Sequence, residues 1–253
     1  MSYQSGIMRA QAEKFAQQHA LNCLLFDQIN TELALNYTDE FIELRDIKQN
    51  TAIHVDFISG ALAHHQQFGG GRGQAIAKAI GLKQGTQPPA VVDATAGLGK
   101  DSFVMACLGC PVTLIERSPI ISQLVLDGIQ RAEADNDFSV FIKRGFKLVN
   151  AQASEYLKAL SKNNAPEIIY LDPMYPERKK SAQVKKNMQI LQKLLGHDDD
   201  TTELIDAALK YAKKRVVVKR PKGAGTIGDR KPTMSIESKK TRYDVYVCGS
   251  NLS

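Results

Sequence analysis

Polar and glycine-containing motifs follow four apolar segments of this sequence, and their residue types could do chemistry. The motifs begin at Asp93, Glu116, Asn150 and Asp172. Each preceding apolar segment has the length of a buried strand, and helical patterns separate the segments. Carboxyl ends of parallel strands meet at one edge of a sheet, where ligands bind in folds of this type. We therefore expect the four motifs to form one site.

The first motif, residues 93–101, reads Asp-Ala-Thr-Ala-Gly-Leu-Gly-Lys-Asp. Gly97 and Gly99 allow a tight turn and a close approach of the backbone to a ligand, and the following helix offers free N–H groups. The dinucleotide fingerprint is incomplete because position 102 is serine, which disfavours a nicotinamide dehydrogenase. The Asp93 carboxylate would repel a pyrophosphate and attract the ammonium and sulfonium charges of S-adenosyl-L-methionine. The motif favours that cofactor, with an ordinary strand-to-helix turn as the alternative.

Acidic and amide side chains follow the next two predicted strands. Glu116 lies about 20 residues beyond the glycine turn, where a carboxylate can accept hydrogen bonds from both ribose hydroxyls, and Arg117 follows it. Gln152 and the backbone of Ala153 come after the third strand and could contact adenine. We expect the nucleoside part of the cofactor to lie across these strand ends.

The fourth motif is the most specific of the set. Its residues 172–176, Asp-Pro-Met-Tyr-Pro, resemble the Asp/Asn-Pro-Pro-Tyr/Phe motif of methyltransferases that modify exocyclic amino groups of nucleic-acid bases. The resemblance implies that Asp172 and a carbonyl fixed by Pro173 accept hydrogen bonds from the target amine, while Tyr175 stacks on the base. Such an amine is a poor nucleophile because the ring delocalises its lone pair, and acceptors already in place localise that pair. Met174 stands where the motif has its second proline, a difference that bears on the shape of the amine pocket.

Over about residues 60–225 the chain is similar to the ribosomal RNA small subunit methyltransferase J family. The segments that carry the similarity are 93–101, 170–176, 180–186 and 215–221. The similarity implies transfer of a methyl group from S-adenosyl-L-methionine to N2 of one guanine in 16S ribosomal RNA. It also implies cofactor contacts, which fall by position on Lys100, Asp101, Glu116, Arg117, Gln152, Ala153 and Asp172. Gln152 and Ala153 carry no hydroxyl group, so the backbone would make most of their contacts.

The order of the predicted elements indicates the fold class. Strands are predicted at 90–94, 112–116, 146–150, 167–172, 215–219, 234–238 and 242–248. Helices are predicted at 101–108, 119–131, 153–160 and 202–211, with an Ala-rich helix before them that ends at Ile80. Alternation of this kind is typical of a parallel sheet. We expect a Rossmann-like class I methyltransferase domain over residues 61–253, with a mostly parallel seven-stranded sheet and helices on both faces. Residues 1–60 are expected to form a small α+β subdomain, with a helix over 9–25 and strands at 31–37, 41–45 and 52–57.

Charge is distributed unevenly along the chain. Residues 1–142 hold 10 Lys and Arg against 15 Asp and Glu, whereas residues 143–253 hold 23 against 12. The basic half favours a polyanionic partner, and we expect a basic rim beside the site to bind phosphates of 16S ribosomal RNA or of a small-subunit precursor. The rim residues are Arg178, Lys179, Lys180, Lys185, Lys186, Lys219 and Arg220. A solvated lysine-rich surface is the alternative.

Other classes of protein are disfavoured. No apolar run reaches the roughly 20 residues of a membrane helix, and the first residues lack the apolar segment of a secretory signal, so a cytoplasmic location is expected. Cys107 and Cys110 form a CxxC motif without a second pair, so we expect two small buried side chains and no metal site. The alternatives left open are a DNA or small-molecule N-methyltransferase on the same fold, and an RNA-binding protein without catalysis.

Overall fold

The structure is a computed structural model that describes residues 1–3, 6–59, 73–173, 182–195, 201–227 and 230–249. Within these ranges, positions 7, 162 and 182–188 are described by their backbone alone. Helices and strands are numbered below in chain order.

A mostly parallel sheet of seven strands forms the larger part of the fold. Its strands are β6 (Val91–Asp93), β7 (Val112–Glu116), β8 (Phe146–Asn150), β9 (Ile168–Leu171), β10 (Arg215–Pro221), β11 (Met234–Glu237) and β12 (Thr241–Val247). Their spatial order is β11-β12-β10-β9-β6-β7-β8. β12 runs antiparallel to both of its neighbours, whereas β10, β9, β6, β7 and β8 are parallel to one another.

Helices cover both faces of this sheet. They are α2 (Ala75–Ala79), α3 (Lys100–Cys107), α4 (Pro119–Ala134), α5 (Ser139–Lys143), α6 (Ala153–Ala159), α7 (Ala182–Leu195) and α8 (Thr201–Tyr211). Phe103 of α3 and Leu124 of α4 belong to the buried cluster on one face, and Leu157 of α6 and Ala208 of α8 to the cluster on the other. Helix α4 illustrates how local sequence sets the boundaries. The Ser118 hydroxyl accepts a hydrogen bond from the Ile121 N–H at its first turn, where a proline also stands.

A smaller sheet of five strands precedes the larger one. It has the order β2-β1-β3-β4-β5, and α1 packs beside it. The elements are β1 (Ser2–Tyr3), α1 (Gly6–Gln18), β2 (Leu24–Leu25), β3 (Leu33–Tyr37), β4 (Ile42–Asp46) and β5 (Thr51–His54). The predicted helix over 9–25 was too long at its carboxyl end. Ala20 takes a positive φ of 52°, which ends the helix. Leu24 and Leu25, near the predicted end of the helix, instead pair with β1 as a strand.

Tight packing joins the two sheets through one buried cluster. The Phe57 ring stacks on Phe103 of α3, with 4.8 Å between ring centroids. Val55 lies against α4, where a Cβ built on Gly128 would be 2.6 Å from a Val55 methyl carbon. The glycine is therefore required by the close approach of the two segments.

The predicted fold class is confirmed, including the seven strands and the helices on both faces. Helix α7 and the short elements β1, β2 and α5 were not predicted, and β10 continues two residues beyond its predicted end, to Pro221. The division at residue 60 stays a prediction. In the described ranges, no helix combines the length and the apolar character needed to cross a membrane.

Candidate active site

The four predicted motifs converge at the carboxyl edge of the large sheet. They border a cleft of about 820 Å³, including its part open to solvent. The lining residues are Ala94, Thr95, Gly97, Ile115, Glu116, Arg117, Ile121, Ala151, Gln152, Ala153, Ser154, Asp172, Pro173, Leu191, Leu195, Thr201 and Leu204. The cleft thus combines one buried carboxylate with largely apolar walls.

The two glycines of the first motif have different tasks. Both have positive φ, 51° at Gly97 and 72° at Gly99. A Cβ on Gly97 would meet only the Thr95 carbonyl oxygen, at 4.0 Å, so the space above this glycine is open to the cleft. A Cβ on Gly99 would lie 3.1 Å from the Phe57 ring and 3.2 Å from Leu114. Gly97 is therefore placed to approach a ligand, whereas Gly99 serves the packing of the core.

Asp93 lies beneath the turn instead of lining the cleft. Its side chain is buried and accepts hydrogen bonds from the Thr95 N–H at 3.1 Å and from the Ser102 hydroxyl at 2.5 Å. Burial raises the pKa of this carboxyl to about 7, although both hydrogen bonds act in the opposite direction. The geometry gives Asp93 the task of holding the glycine turn. Its predicted contact with the cofactor stays a prediction.

Glu116 stands at the end of β7 with its carboxylate in the cleft wall. It is 7% exposed, and it accepts hydrogen bonds from the Gly97 N–H at 3.0 Å and the Ser118 N–H at 2.7 Å. The Asn150 side-chain amide donates to the Glu116 carbonyl at 2.7 Å, which ties β8 to this strand end. The carboxylate therefore sits in a fixed place between the glycine turn and the start of α4.

The third motif supplies the start of a helix to the same cleft. Gln152 is the residue before α6, and no side-chain cap occupies the first turn. Gln152, Ala153 and Ser154 all line the cleft. Backbone N–H groups of a first helical turn have no partner within the helix, so a ligand can accept hydrogen bonds from them. The structure brings Gln152 and Ala153 together with Glu116, as predicted.

A backbone hydrogen bond of Asp172 fixes the start of the fourth motif. The Asp172 N–H donates a hydrogen bond of 2.5 Å to the Thr95 hydroxyl, which joins the end of β9 to the glycine turn. The Asp172 side chain is 40% exposed and lines the cleft beside the buried Pro173. Tyr175 lies outside the described residues, as do Met174, Arg178, Lys179 and Lys180.

Lys219 lies inside the site, bonded to two of the predicted acidic residues. Its Nζ donates to Asp172 Oδ2 at 2.8 Å and to Asp101 Oδ2 at 2.7 Å. The Tyr170 hydroxyl donates to the same Asp101 oxygen at 2.5 Å. Asp101 therefore faces this ion-pair network, and neither it nor Lys100 lines the cleft.

Burial and charge shift the pKa values within this network. Burial is the main cause that raises the pKa of Asp172, Asp101 adds to it, and Lys219 opposes it. Burial alone would lower the pKa of Lys219, but the carboxylates of Asp101 and Asp172 raise it well above its ordinary value. Burial also raises the pKa of Tyr243 to about 12, so this neighbour keeps its proton at neutral pH.

Two residues of the predicted basic rim are not on a rim, and that part of the prediction was wrong. Lys219 pairs with carboxylates in the site, and Arg220 is only 4% exposed, with one nitrogen bonded to the Gly225 carbonyl. The reason is the length of β10. Both residues lie within the strand, where side chains point to the two faces of the sheet and not beyond its edge. Lys185 and Lys186 lie on α7, in the part described by backbone alone.

Several site residues gave little signal in the sequence. Thr95, Tyr170 and Ser102 have ordinary types, and their tasks depend on which strand ends become neighbours. The cleft is also lined by Leu191 and Leu195 of α7 and by Thr201 and Leu204 of α8. The amphipathic pattern of α8 could be read, but nothing in it points to a ligand.

The expected burial of both cysteines in the CxxC motif is found at Cys110 only. Cys110 is buried, Cys107 is half-buried, and burial raises the pKa of the Cys107 thiol to about 12. Among the described residues, no group of three or more His, Cys, Asp and Glu side chains could hold a metal ion.

Comparisons with known proteins agree with this architecture. The family described as "Putative SAM-dependent methyltransferase" matches residues 14–248. The chain is 50% identical over 236 residues to ribosomal RNA small subunit methyltransferase J from Aeromonas salmonicida, covering 92% of this chain and 94% of that protein. The protein of the same name from Tolumonas auensis is 46% identical and covers 97% of this chain and 98% of its own length. In structure, the chain resembles a SAM-dependent methyltransferase from Neisseria gonorrhoeae, with a TM-score of 0.77, 33% identity, and coverage of 98% and 95% of the two chains.

Proposed function

The chain belongs to the ribosomal RNA small subunit methyltransferase J family of S-adenosyl-L-methionine-dependent enzymes, and we propose that it methylates N2 of one guanine in 16S ribosomal RNA. A substrate of this kind implies that the enzyme acts in the cytoplasm. The observation that carries the proposal is the placement of Asp172 and Pro173 on one wall of the same cleft as Glu116.

The residues of the cleft fit S-adenosyl-L-methionine. The buried Glu116 carboxylate suits the two ribose hydroxyls, and the first turn of α6 at Gln152 and Ala153 suits adenine nitrogens. Apolar side chains such as Ile115 and Ile121 suit the faces of a flat ring. The open space above Gly97 leaves room for the methionine part. Exposed Arg117 lies next to Glu116, where the ribose is expected. Lys100 and Asp101 are proposed as cofactor contacts only because their positions match those of the family.

S-adenosyl-L-methionine, when bound, supplies a methyl group that is electrophilic because it is attached to a sulfonium. Asp172 would accept a hydrogen bond from the guanine amine and draw its lone pair out of the ring. A carbonyl fixed by Pro173 would accept the second amine hydrogen, and Tyr175 would stack on the base. The nitrogen that gains a methyl group must then lose a proton, which the Asp172 carboxylate would accept. The target base must leave its stack to reach this cleft.

We propose that RNA phosphates bind two groups of basic residues, one that follows the Asp172 motif in the sequence and one in a turn of the large sheet. The first group is Arg178, Lys179, Lys180, Lys185 and Lys186, which follow the Asp172 motif in the sequence. The turn between β11 and β12 adds Lys239 and Lys240, both exposed and without an acidic partner in the described part of the chain.

The position of this turn supports its assignment. Asp172 and Lys219 follow the paired residues Leu171 and Val218, so they are opposite each other on neighbouring strands. Lys219 in turn pairs with Tyr243 of β12, and Lys240 lies three residues before Tyr243. With strands about 4.8 Å apart and about 3.3 Å per residue, Lys240 is about 14 Å from Asp172. RNA whose base occupies the cleft can reach the turn within a few nucleotides.

Transfer of label from S-adenosyl-L-methionine to different acceptors tests the substrate class. Equal amounts of 16S ribosomal RNA, assembled small subunits, transfer RNA and DNA are incubated with the enzyme. We expect label in 16S ribosomal RNA, as free RNA or in the subunit. Label in DNA alone, or in none of the acceptors, would contradict the proposal. The second outcome, together with normal RNA binding, would favour an RNA-binding protein without catalysis.

A further inference from the structure

Lys219 lies between two carboxylates of the site, those of Asp101 and Asp172. Its Nζ lies 2.8 Å from Asp172 Oδ2 and 2.7 Å from Asp101 Oδ2, and its side chain is 26% exposed. One half-buried ammonium group therefore pairs with two anions. A flexible lysine gains a fixed direction in this way, because moving it would leave two carboxylates without a positively charged partner.

The far side of the network is anchored in the sheet. Tyr170 is fully buried in β9, and its hydroxyl donates to the same Asp101 oxygen that Lys219 contacts. Lys219 itself pairs through its backbone with Tyr243 of β12, which is 8% exposed. Asp101, at the start of α3, is thus held from two sides, and it fixes the Lys219 ammonium in turn.

Asp172 is held at two points as a result. Its N–H donates to Thr95, and its Oδ2 accepts from Lys219. Within the described residues, the second carboxylate oxygen, Oδ1, has no hydrogen-bond partner. The carboxyl group lies in the cleft wall, so Oδ1 is the oxygen left for a substrate.

We propose that Lys219 is a positioning residue for methyl transfer, which holds Asp172 by one oxygen, keeps it charged, and leaves the other oxygen to the target amine. Asp101 and Tyr170 fix Lys219 in this task. The inference rests on the proposed function, because it assigns Asp172 as the acceptor of the amine hydrogen.

The charges around Asp172 support this assignment. Among the described residues, the titratable groups that interact with it are Asp93 from β6, Asp101 from α3, Tyr170 from β9, Lys219 from β10 and Tyr243 from β12. Lys219 is the one cation of this set. Burial and Asp101 raise the pKa of Asp172, and Lys219 lowers it. Removing the ammonium therefore raises the pKa further, so a larger fraction of Asp172 is protonated at a given pH.

Single-turnover methylation of 16S ribosomal RNA with saturating S-adenosyl-L-methionine, measured from pH 5.5 to 9, tests the proposal. We expect Lys219→Met to lower the rate at pH 7 by about 10²-fold, as for a misplaced reacting group. The acid limb of the pH–rate profile should move to higher pH, so that part of the loss is recovered as pH rises. Lys219→Arg should restore part of the rate because it keeps the charge. Cofactor affinity should change by less than about threefold, since Lys219 does not line the cleft.

Lys214→Met is the matched control, since this lysine also makes a close ion pair, to Glu167 at 2.6 Å, but at the opposite edge of the sheet. Its rate and pH profile should equal those of the wild type. A Lys219→Met profile that is lowered equally at every pH would show a purely structural role and overturn the proposal. So would a wild-type rate in that variant.

A second measurement does not depend on methylation of RNA. Protein labelled with ¹³C at aspartate side chains is titrated by NMR, and Asp172→Asn identifies the Asp172 signal. The midpoint should lie at higher pH in Lys219→Met than in the wild type, and an unchanged midpoint would overturn the proposal. If wild-type enzyme failed to methylate RNA while the midpoint moved, the proposed function would fail and the electrostatic role of Lys219 would stand.

Discussion

Replacing Glu116 with alanine tests the cofactor site at its most buried polar group. The Glu116 carboxylate already accepts hydrogen bonds from the Gly97 and Ser118 backbones, at 3.0 and 2.7 Å. It lines the cleft while being only 7% exposed. The same two oxygens are expected to accept both ribose hydroxyls, so alanine removes the cofactor contacts and loosens the turn beside them.

The magnitude follows from the number and kind of bonds. Hydrogen bonds to a charged group contribute about 1.5–3 kcal/mol each, so two ribose bonds sum to about 3–6 kcal/mol. Water can enter the space left by the side chain and bind the ribose in its place, so the loss of binding free energy should lie at the lower end of this range. A loss of about 3 kcal/mol corresponds to a Kd roughly 150-fold weaker. The backbone N–H groups of the turn can also bind that water, so the variant should fold, with a lower Tm.

Isothermal titration calorimetry with S-adenosylhomocysteine measures this effect, and circular dichroism establishes that the variant is folded at the temperature used. Glu155→Ala is the control, because Glu155 is an exposed carboxylate on α6 that does not line the cleft. Its Kd should match that of the wild type. A folded Glu116→Ala protein with a Kd within about threefold of the wild type would refute the reasoning and place the ribose elsewhere.

The other predictions concern catalysis and RNA binding. Asp172→Ala should slow single-turnover methyl transfer by about 10²–10³-fold, which is the usual loss when one preorganised electrostatic partner is removed. The affinity for RNA should stay within about twofold of the wild type, because Asp172 acts mainly in the transition state. Near-normal turnover would show that another group accepts the amine proton. Lys239→Gln with Lys240→Gln should reduce the slope of log affinity for 16S ribosomal RNA against log salt by about one to two, since each phosphate contact contributes about 0.7–0.9. The control is the double variant Lys213→Gln with Lys214→Gln, which changes two exposed lysines at the opposite edge of the sheet and should leave that slope unchanged. Equal slopes for the two double variants would show that RNA binds another surface.

The strand ends of the large sheet were predictable because each apolar segment is followed at once by a polar motif. Glu116 is the last residue of one such segment, and Asp172 directly follows another. Because the strands are parallel, both residues lie at the same edge of the sheet. Glycine in the first motif was equally informative about the turn. The sequence could not tell that Gly97 faces the cleft while Gly99 faces the core, because the difference depends on Phe57 from the small sheet.

Lys219 shows why the rest of the site could not be predicted. Its place depends on the register between β9 and β10, where Leu171 is opposite Val218, so that the next residues, Asp172 and Lys219, become neighbours. A register change of one residue would turn Lys219 to the other face of the sheet. Arg220 is buried for the same reason. A local run of basic residues therefore looked like a surface although it lies within a strand.

The nucleoside that carries the new methyl group tests the central claim most directly. 16S ribosomal RNA methylated by the enzyme with labelled S-adenosyl-L-methionine is digested to nucleosides and separated by liquid chromatography with mass detection. We expect all of the label in N2-methylguanosine, at no more than one methyl group per RNA molecule, and an initial rate of labelling about 10²–10³-fold lower with Asp172→Ala. Label in a different nucleoside, or an equal initial rate of labelling with the Asp172→Ala protein, would contradict the account of this site.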